Sequence, residues 1–380
     1  MKQVTSFFLM AFLIMVAACT GSKEKNERIR VAVFSGNGAS SVCVTETMEA
    51  LKIDGGIAPR VVTARDIAAG VLGELDVIIF PGGSGSKEAN NLGTVGMEKV
   101  RDFVMKEGGG IVGICAGAYL LSDTPDYPCL HMSGLAAIDR VHDARGGALA
   151  AMTLEKGAAD IFPGLQGYDS LFVQYNEGPV LVPAGDDIPY TVLAVMQTDV
   201  HAKSGAPANM TPGKPYFITA LPGKGRAFLS VGHPESTPGM RWIVPRMARW
   251  AAGREMVSYP STVVRPGRDH HSIVFDVSYR KKEKKLFWQL FDEDAQKRIE
   301  ALEQLHEMRS RQAVRWTMGL LRDKEPEVRV VAAALLSEAE YTAALPDMRQ
   351  AVEDEPDISA RKKMSASLKK LEEITGNGRK

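Results

Sequence analysis

The chain has 380 residues, 45% hydrophobic and 24% charged, a globular balance with room for two or three domains and an ample core. Lys plus Arg equals Asp plus Glu at 46 each, so the net charge near zero gives no electrostatic case for a nucleic-acid partner. Four Cys in a chain of this length exclude a disulfide scaffold.

The first residues read as a targeting segment. Met1-Lys2 is a positive start, Phe7 to Ala18 is unbroken apolar sequence, and Val16-Ala17-Ala18-Cys19 is a small-residue cleavage site ending in Cys. The apolar run falls short of the roughly 20 residues that span a bilayer. The pattern resembles a bacterial lipobox, which implies that residues 1–19 carry the signal, that Cys19 becomes the lipid-modified first residue, and that residues 20–28 tether the rest. The expected location is the cell envelope, on the periplasmic side, with the lipid as membrane attachment. In that oxidising compartment Cys43, Cys115 and Cys129 remain, and two arrangements are open: a Cys43 to Cys129 bridge with Cys115 free, or three free buried thiols.

From Arg30 short β-branched runs alternate with helical stretches. Arg30–Phe34, Arg60–Thr63 and Asp76–Phe80 read as strands, Thr45–Leu51 and Val95–Lys106 as helices, and Gly110–Ile114 as a further apolar strand. Near-continuous apolar strands between helices predict a parallel sheet covered on both faces, with the site at the carboxyl ends of the strands. Three turns meet there: Gly36 to Ser41, which is a tight βα loop or an anion cradle, Pro81 to Ser86, and Gly113-Ile114-Cys115-Ala116-Gly117. The last is a strand-to-helix turn of small residues that projects one side chain at strained angles, with free helix N–H groups aimed at the sulfur to favour a thiolate. Between about Leu135 and Gly232 the pattern turns β-rich, as an antiparallel extension with Gly and Pro turns. Arg226–Val231 is a strand closed by Gly232-His233-Pro234-Glu235, which places an imidazole and a carboxylate two residues apart.

These residues carry a resemblance. The Gly-x-Cys-x-Gly elbow followed far downstream by His-Pro-Glu is similar to the class I glutamine amidotransferase superfamily. The run Gly113 to Tyr119 and the upstream Phe80-Pro81-Gly82-Gly83 most resemble the amidotransferase-like domain at the N-terminus of biotin-protein ligases, over roughly residues 29 to 253. The resemblance implies an α/β, doubly wound, mainly parallel, flavodoxin-like fold over residues 29–256. It implies Cys115 as nucleophile, His233 as base, Glu235 as its partner, and an oxyanion hole from Gly82 or Gly83 and Ala116. Tyr119 stands where glutamine-using relatives carry Gln, so glutamine is not the expected substrate. No synthetase or biotin-ligase domain follows in this sequence, so hydrolysis is expected over transfer.

Residues 257–285 read as a turn-rich linker with a short strand at Ser272–Val277. The run Arg280 to Lys285 is either a solvated junction or a contact for anionic lipid headgroups. Residues 286–376 are helical at period 3.6. Glu325-Pro326-Glu327-Val328 recurs as Glu355-Pro356-Asp357-Ile358, an offset of 30 residues, and this segment is similar to HEAT repeats. So few repeats pack on the α/β domain or on a protein partner. Cys129-Leu130-His131 lacks a second ligand pair, and Asp269-His270-His271 alternates faces, so neither a metal nor a cofactor is expected. Two functions follow: a Cys-His-Glu hydrolase of a small-molecule or peptide-like amide, or a non-catalytic binding scaffold using the same pocket and a helical adaptor.

Overall fold

The computed structural model describes residues 28–165, 167–185 and 187–375. Cys19, the signal segment and all but the last residue of the tether lie outside them.

Among the described residues twelve strands form: β1 Ile29–Phe34, β2 Ile57–Val62, β3 Val77–Phe80, β4 Gly110–Ile114, β5 Leu135–Ala137, β6 Gly147–Leu154, β7 Leu171–Asn176, β8 Leu181–Pro183, β9 Tyr190–Met196, β10 Pro215–Ala220, β11 Arg226–Ser230 and β12 Ile273–Val274. One sheet runs in the order β12-β6-β9-β10-β11-β4-β3-β1-β2, with β7 on β6, and β5 pairs separately with β8. The half from β2 to β11 is parallel, and the half from β10 outward is antiparallel, as the β-rich middle of the sequence predicts.

Every residue of β3 and β4 is buried, the pattern of strands covered on both faces. Helices Ser41–Leu51 and Ile243–Ala251 pack together, as do Ala64–Ala68 and Gly85–Met105. The predicted helix at Val95 starts ten residues earlier, at Gly85, because Gly93 takes a non-helical φ of 63° and joins two helical pieces that the periodicity does not link.

The linker differs from expectation. Strand β12 adds to the sheet edge beside β6, and a helix already begins at Val277, capped by the Asp276 side chain on the Tyr279 N–H. The basic run therefore lies on helix Val277–Gln289 and is largely exposed there. Beyond it, helices Ala295–Glu307, Pro326–Glu338 and Ile358–Glu372 repeat one device. Arg298 donates to the Asp292 and Glu293 carbonyls, Arg329 to those of Asp323 and Lys324, and Arg361 to that of Glu355. Arg298 also bonds Asp323, and Arg329 bonds Glu355, which ties each repeat to the next. These repeats pack on the α/β domain. No helix among the described residues is long and apolar enough to cross a membrane.

Candidate active site

Strands β4 and β11 are parallel neighbours, pairing Ile114 with Ser230, so the residues that follow each strand emerge at the same carboxyl edge. Cys115 follows β4 with φ 52° and ψ −101°, a strained backbone for a residue with a Cβ. Its flanking glycines allow this by close approach. A Cβ at Gly113 would lie 2.5 Å from the Gly117 carbonyl, and one at Gly117 would lie 2.1 Å from that of Phe80. The turn after β3 is built the same way: Gly83 has φ 154° and its Cβ would strike the Gly38 carbonyl at 2.0 Å.

The Cys115 thiol lies in the wall of a cavity of about 420 Å³, and among the described residues it donates to the Asn176 carbonyl at 3.4 Å. Gly83, Ala116, Tyr119 and Tyr127 line the same cavity, whose rim carries Arg140, Asp143 and Glu177. The N–H groups of Gly83 and Ala116 donate no hydrogen bond among the described residues, which leaves both free for an oxyanion. Gly82 also makes room. A Cβ there would meet the His233 ring at 2.7 Å and the Cys43 sulfur at 2.8 Å, so its missing side chain makes room for the imidazole.

His233 is buried, and its Nδ1 bonds Glu235 Oε1 at 2.6 Å. Burial alone would lower the imidazole. The Glu235 carboxylate and the Cys115 sulfur outweigh it against the opposition of Arg311, and His233 stands well above its usual value. The structure thus sets the bonded His233–Glu235 pair after the strand that neighbours the one leading to Cys115.

Tyr119 borders the cavity, but its hydroxyl donates to Asp139 at 2.5 Å. Burial and then Asp139 push the phenol strongly upward, so it stays neutral. Asp139 also pairs with Arg145, which reaches the Tyr175 hydroxyl at 3.0 Å and the Gly178 carbonyl at 3.3 Å.

Sequence reasoning missed the second layer. Cys43, Cys115 and Cys129 are free and buried, so of the two arrangements left open the three-thiol one holds. Cys43 lies beside His233. Burial works against its ionisation, but Arg311 and a hydrogen bond to His233 bring the thiol below its ordinary value. Ligand atoms of Cys43, His233 and Glu235 lie within 4.8 Å of one another, the spacing of a metal trio. The Arg311 guanidinium lies beside this trio, 3.3 Å from the Cys43 sulfur and 3.7 Å from Glu235. Arg311 comes from the helical repeats, far from the site in sequence, and no local motif marks it. Cys129 and His131 are close, sulfur to ring nitrogen 3.7 Å, but in an irregular segment and not on a strand.

Glu88 is fully buried, and among the described residues neither carboxyl oxygen has a hydrogen-bond partner. Burial, then the neighbouring Cys43, pushes its acid well above the usual range. The folded chain therefore keeps a proton that the unfolded chain releases, and stability falls as pH rises past the unfolded carboxylate value. Glu88→Gln keeps the polar burial and removes the titration. It should be more stable than wild type by about 1–3 kcal/mol at neutral pH, with the advantage vanishing below roughly pH 4, as read from urea midpoints.

Residues 29–131 match the family model described as biotin-protein ligase, N terminal, and residues 283–369 match that of HEAT repeats. The first match takes in Cys115 and the Pro-Gly-Gly turn and ends before His233. No curated protein matches the chain. Among solved structures, the chain is similar to a putative ThuA-like protein from Parabacteroides merdae, at 14% identity and a TM-score of 0.46, covering 62% of this chain and 94% of that one. A cytoplasmic protein from Salmonella typhimurium aligns at 14% identity and a TM-score of 0.39, over 59% of this chain and 99% of that one. A β-galactosidase from Bacillus circulans aligns at 15% and 0.37, over 60% of this chain and 31% of its own length. The fold is an α/β domain on a mixed parallel and antiparallel sheet that carries a C-terminal helical-repeat region.

Proposed function

We propose that the protein is a Cys-His-Glu hydrolase of amide or peptide-like bonds. The observation that carries this reading is the strained Cys115 turn beside the buried His233–Glu235 pair, with two unused N–H groups in the same cavity. The sulfur attacks the amide carbon and forms a C–S bond, while the carbonyl oxygen takes negative charge against the Gly83 and Ala116 N–H groups. Collapse breaks the C–N bond, and the His233 imidazolium gives its proton to the leaving amine. Neutral His233 then takes a proton from water, the hydroxide adds to the thioester, and the C–S bond breaks to restore the thiolate and imidazolium. Glu235 holds the ring through Nδ1 and keeps it protonated between turnovers. The two tyrosines favour an acyl group bulkier than that of glutamine.

Profiling with a thiol-directed amide electrophile should label Cys115 and lose the label in Cys115→Ser, while glutamine should give no Cys115-dependent ammonia. Labelling no faster than that of a free thiol favours the scaffold reading, and robust glutamine hydrolysis overturns the role given to Tyr119.

The envelope location is part of the proposal and rests on the Val16 to Cys19 pattern. Cys19→Ser is expected to leave the chain uncleaved or in the soluble fraction, whereas the wild type sediments with membranes and carries lipid mass. Identical fractionation with no lipid mass refutes the anchor.

A further inference from the structure

The turn between helices Ala295–Glu307 and Ala313–Gly319 enters the α/β domain as a built element. Arg309 adopts φ 59°, a left-handed conformation costly for a residue with a Cβ. The surroundings hold it there. Gln174 Nε2 donates to the Arg309 carbonyl at 3.3 Å, the Tyr279 hydroxyl to that of Met308 at 2.7 Å, Arg309 pairs with Asp269, and Ser310 bonds Glu283. At its tip Arg311 pairs with Glu46 and reaches the Cys43 sulfur and Glu235. A second tie runs beside it. Buried Arg241 donates to the Glu235 carbonyl at 3.2 Å and to Thr342 Oγ1 at 3.0 Å in the repeats.

We propose that the helical repeats supply Arg311 to this site as a positioning residue, its guanidinium joining Cys43, Glu46 and Glu235 into one charged cluster behind His233. About a quarter of the Arg311 side chain is open to an interdomain cleft of about 460 Å³, so the cluster is completed from outside the α/β domain. One carboxylate oxygen of Glu235 then faces both cations, the ring at 2.6 Å and the guanidinium at 3.7 Å, which fixes the carboxylate that orients the imidazole. A buried thiol beside two carboxylates would ordinarily stay neutral. Here Arg311 and His233 compensate it.

The test reads Cys43 without Cys115. In a full chain carrying Cys19→Ser, Cys115→Ser and Cys129→Ser, ultraviolet thiolate absorbance against pH reports Cys43 alone. It is faced by Arg311 from the repeats, His233 and Glu235 from the turn after β11, Glu88 from helix Gly85–Met105, and Glu46 on its own helix. Burial and the Glu235 carboxylate push it up, and the two cations pull it down. Arg311→Met should raise the midpoint by about one pH unit or more, a tenfold change in the ionisation constant, and Arg311→Lys should recover most of it. Equal unfolding midpoints in the Lys variant and the parent establish that it folds.

The positioning role rests on the hydrolase reading and is tested in the chain that keeps Cys115. Arg311→Met should slow iodoacetamide alkylation of Cys115 severalfold, and Arg311→Lys should restore it. An unchanged Cys43 midpoint in Arg311→Met overturns the cluster. A shifted midpoint with unchanged Cys115 alkylation overturns the positioning role. A wild-type Cys115 no faster than a free thiol sinks the hydrolase, and the Cys43 measurement still decides the cluster.

Discussion

Replacing His233 by Ala is expected to slow iodoacetamide alkylation of Cys115 by roughly ten- to a hundredfold at mildly acidic pH. On the proposed mechanism His233, raised well above its usual value by Glu235 and Cys115, is the cation for the attacking sulfur, and Ala leaves Cys115 with the Asn176 carbonyl as its hydrogen-bond partner among the described residues. Cys115 should also react ahead of Cys129, which burial pushes above its ordinary value. Glu235→Gln is expected to act in the same direction and less strongly, since the amide still orients the ring but no longer holds its charge. Peptide mapping of the labelled chain over time checks each rate, and equal rates in wild type and His233→Ala would remove His233 from the mechanism.

The legible part of this molecule was the part written in local patterns. Apolar runs at β1, β3 and β4 and the Gly-x-Cys-x-Gly turn state the parallel half of the sheet and the position of the thiol, because a strand covered on both faces has no polar alternation and an elbow tolerates no extra Cβ. His233 and Glu235 were legible as a pair closing an apolar run. Their partners were not. Cys43 reads equally as half of a disulfide or as a free thiol, since a sequence gives no sulfur-to-sulfur distance. Arg311 is one arginine among many in a helical region, and its place is set by how the repeats dock. Asp139 and Arg145 lie in a stretch without periodicity, where a buried ion pair cannot be told from two surface charges. The helix start at Val277 was hidden because every residue from Arg280 to Lys285 is charged, and only the Asp276 cap marks it.

Asp139 and Arg145 carry the largest expected stability effect. Both side chains are fully buried, and Arg145 spends its donors on Asp139, the Tyr175 hydroxyl, and the Gly178 and His142 carbonyls. Burial opposes its charge, but Tyr175 and Asp139 hold it firmly protonated. Arg145→Met fits a similar volume yet leaves the Asp139 carboxylate buried with only the Tyr119 hydroxyl and the Val180 N–H at 3.1 Å. Breaking a buried pair on one side costs about 3–5 kcal/mol, more than the pair itself contributes, because the remaining charge has no compensation. The double variant Arg145→Met with Asp139→Asn removes that charge and should regain part of the loss, a coupling that a double-mutant cycle in urea reads directly. The damage should also reach the site. Gly178 O is held by Arg145 and by the Tyr175 hydroxyl at 2.6 Å, and this turn continues from Asn176, whose carbonyl accepts the Cys115 thiol. Hydrogen exchange in Arg145→Met should therefore quicken at residues 176–180 and around Tyr119 before it does in β3 and β4. A loss below about 1 kcal/mol would mean that Asp139 is neutral in the fold and that Tyr119 is held by an acid and not by a carboxylate.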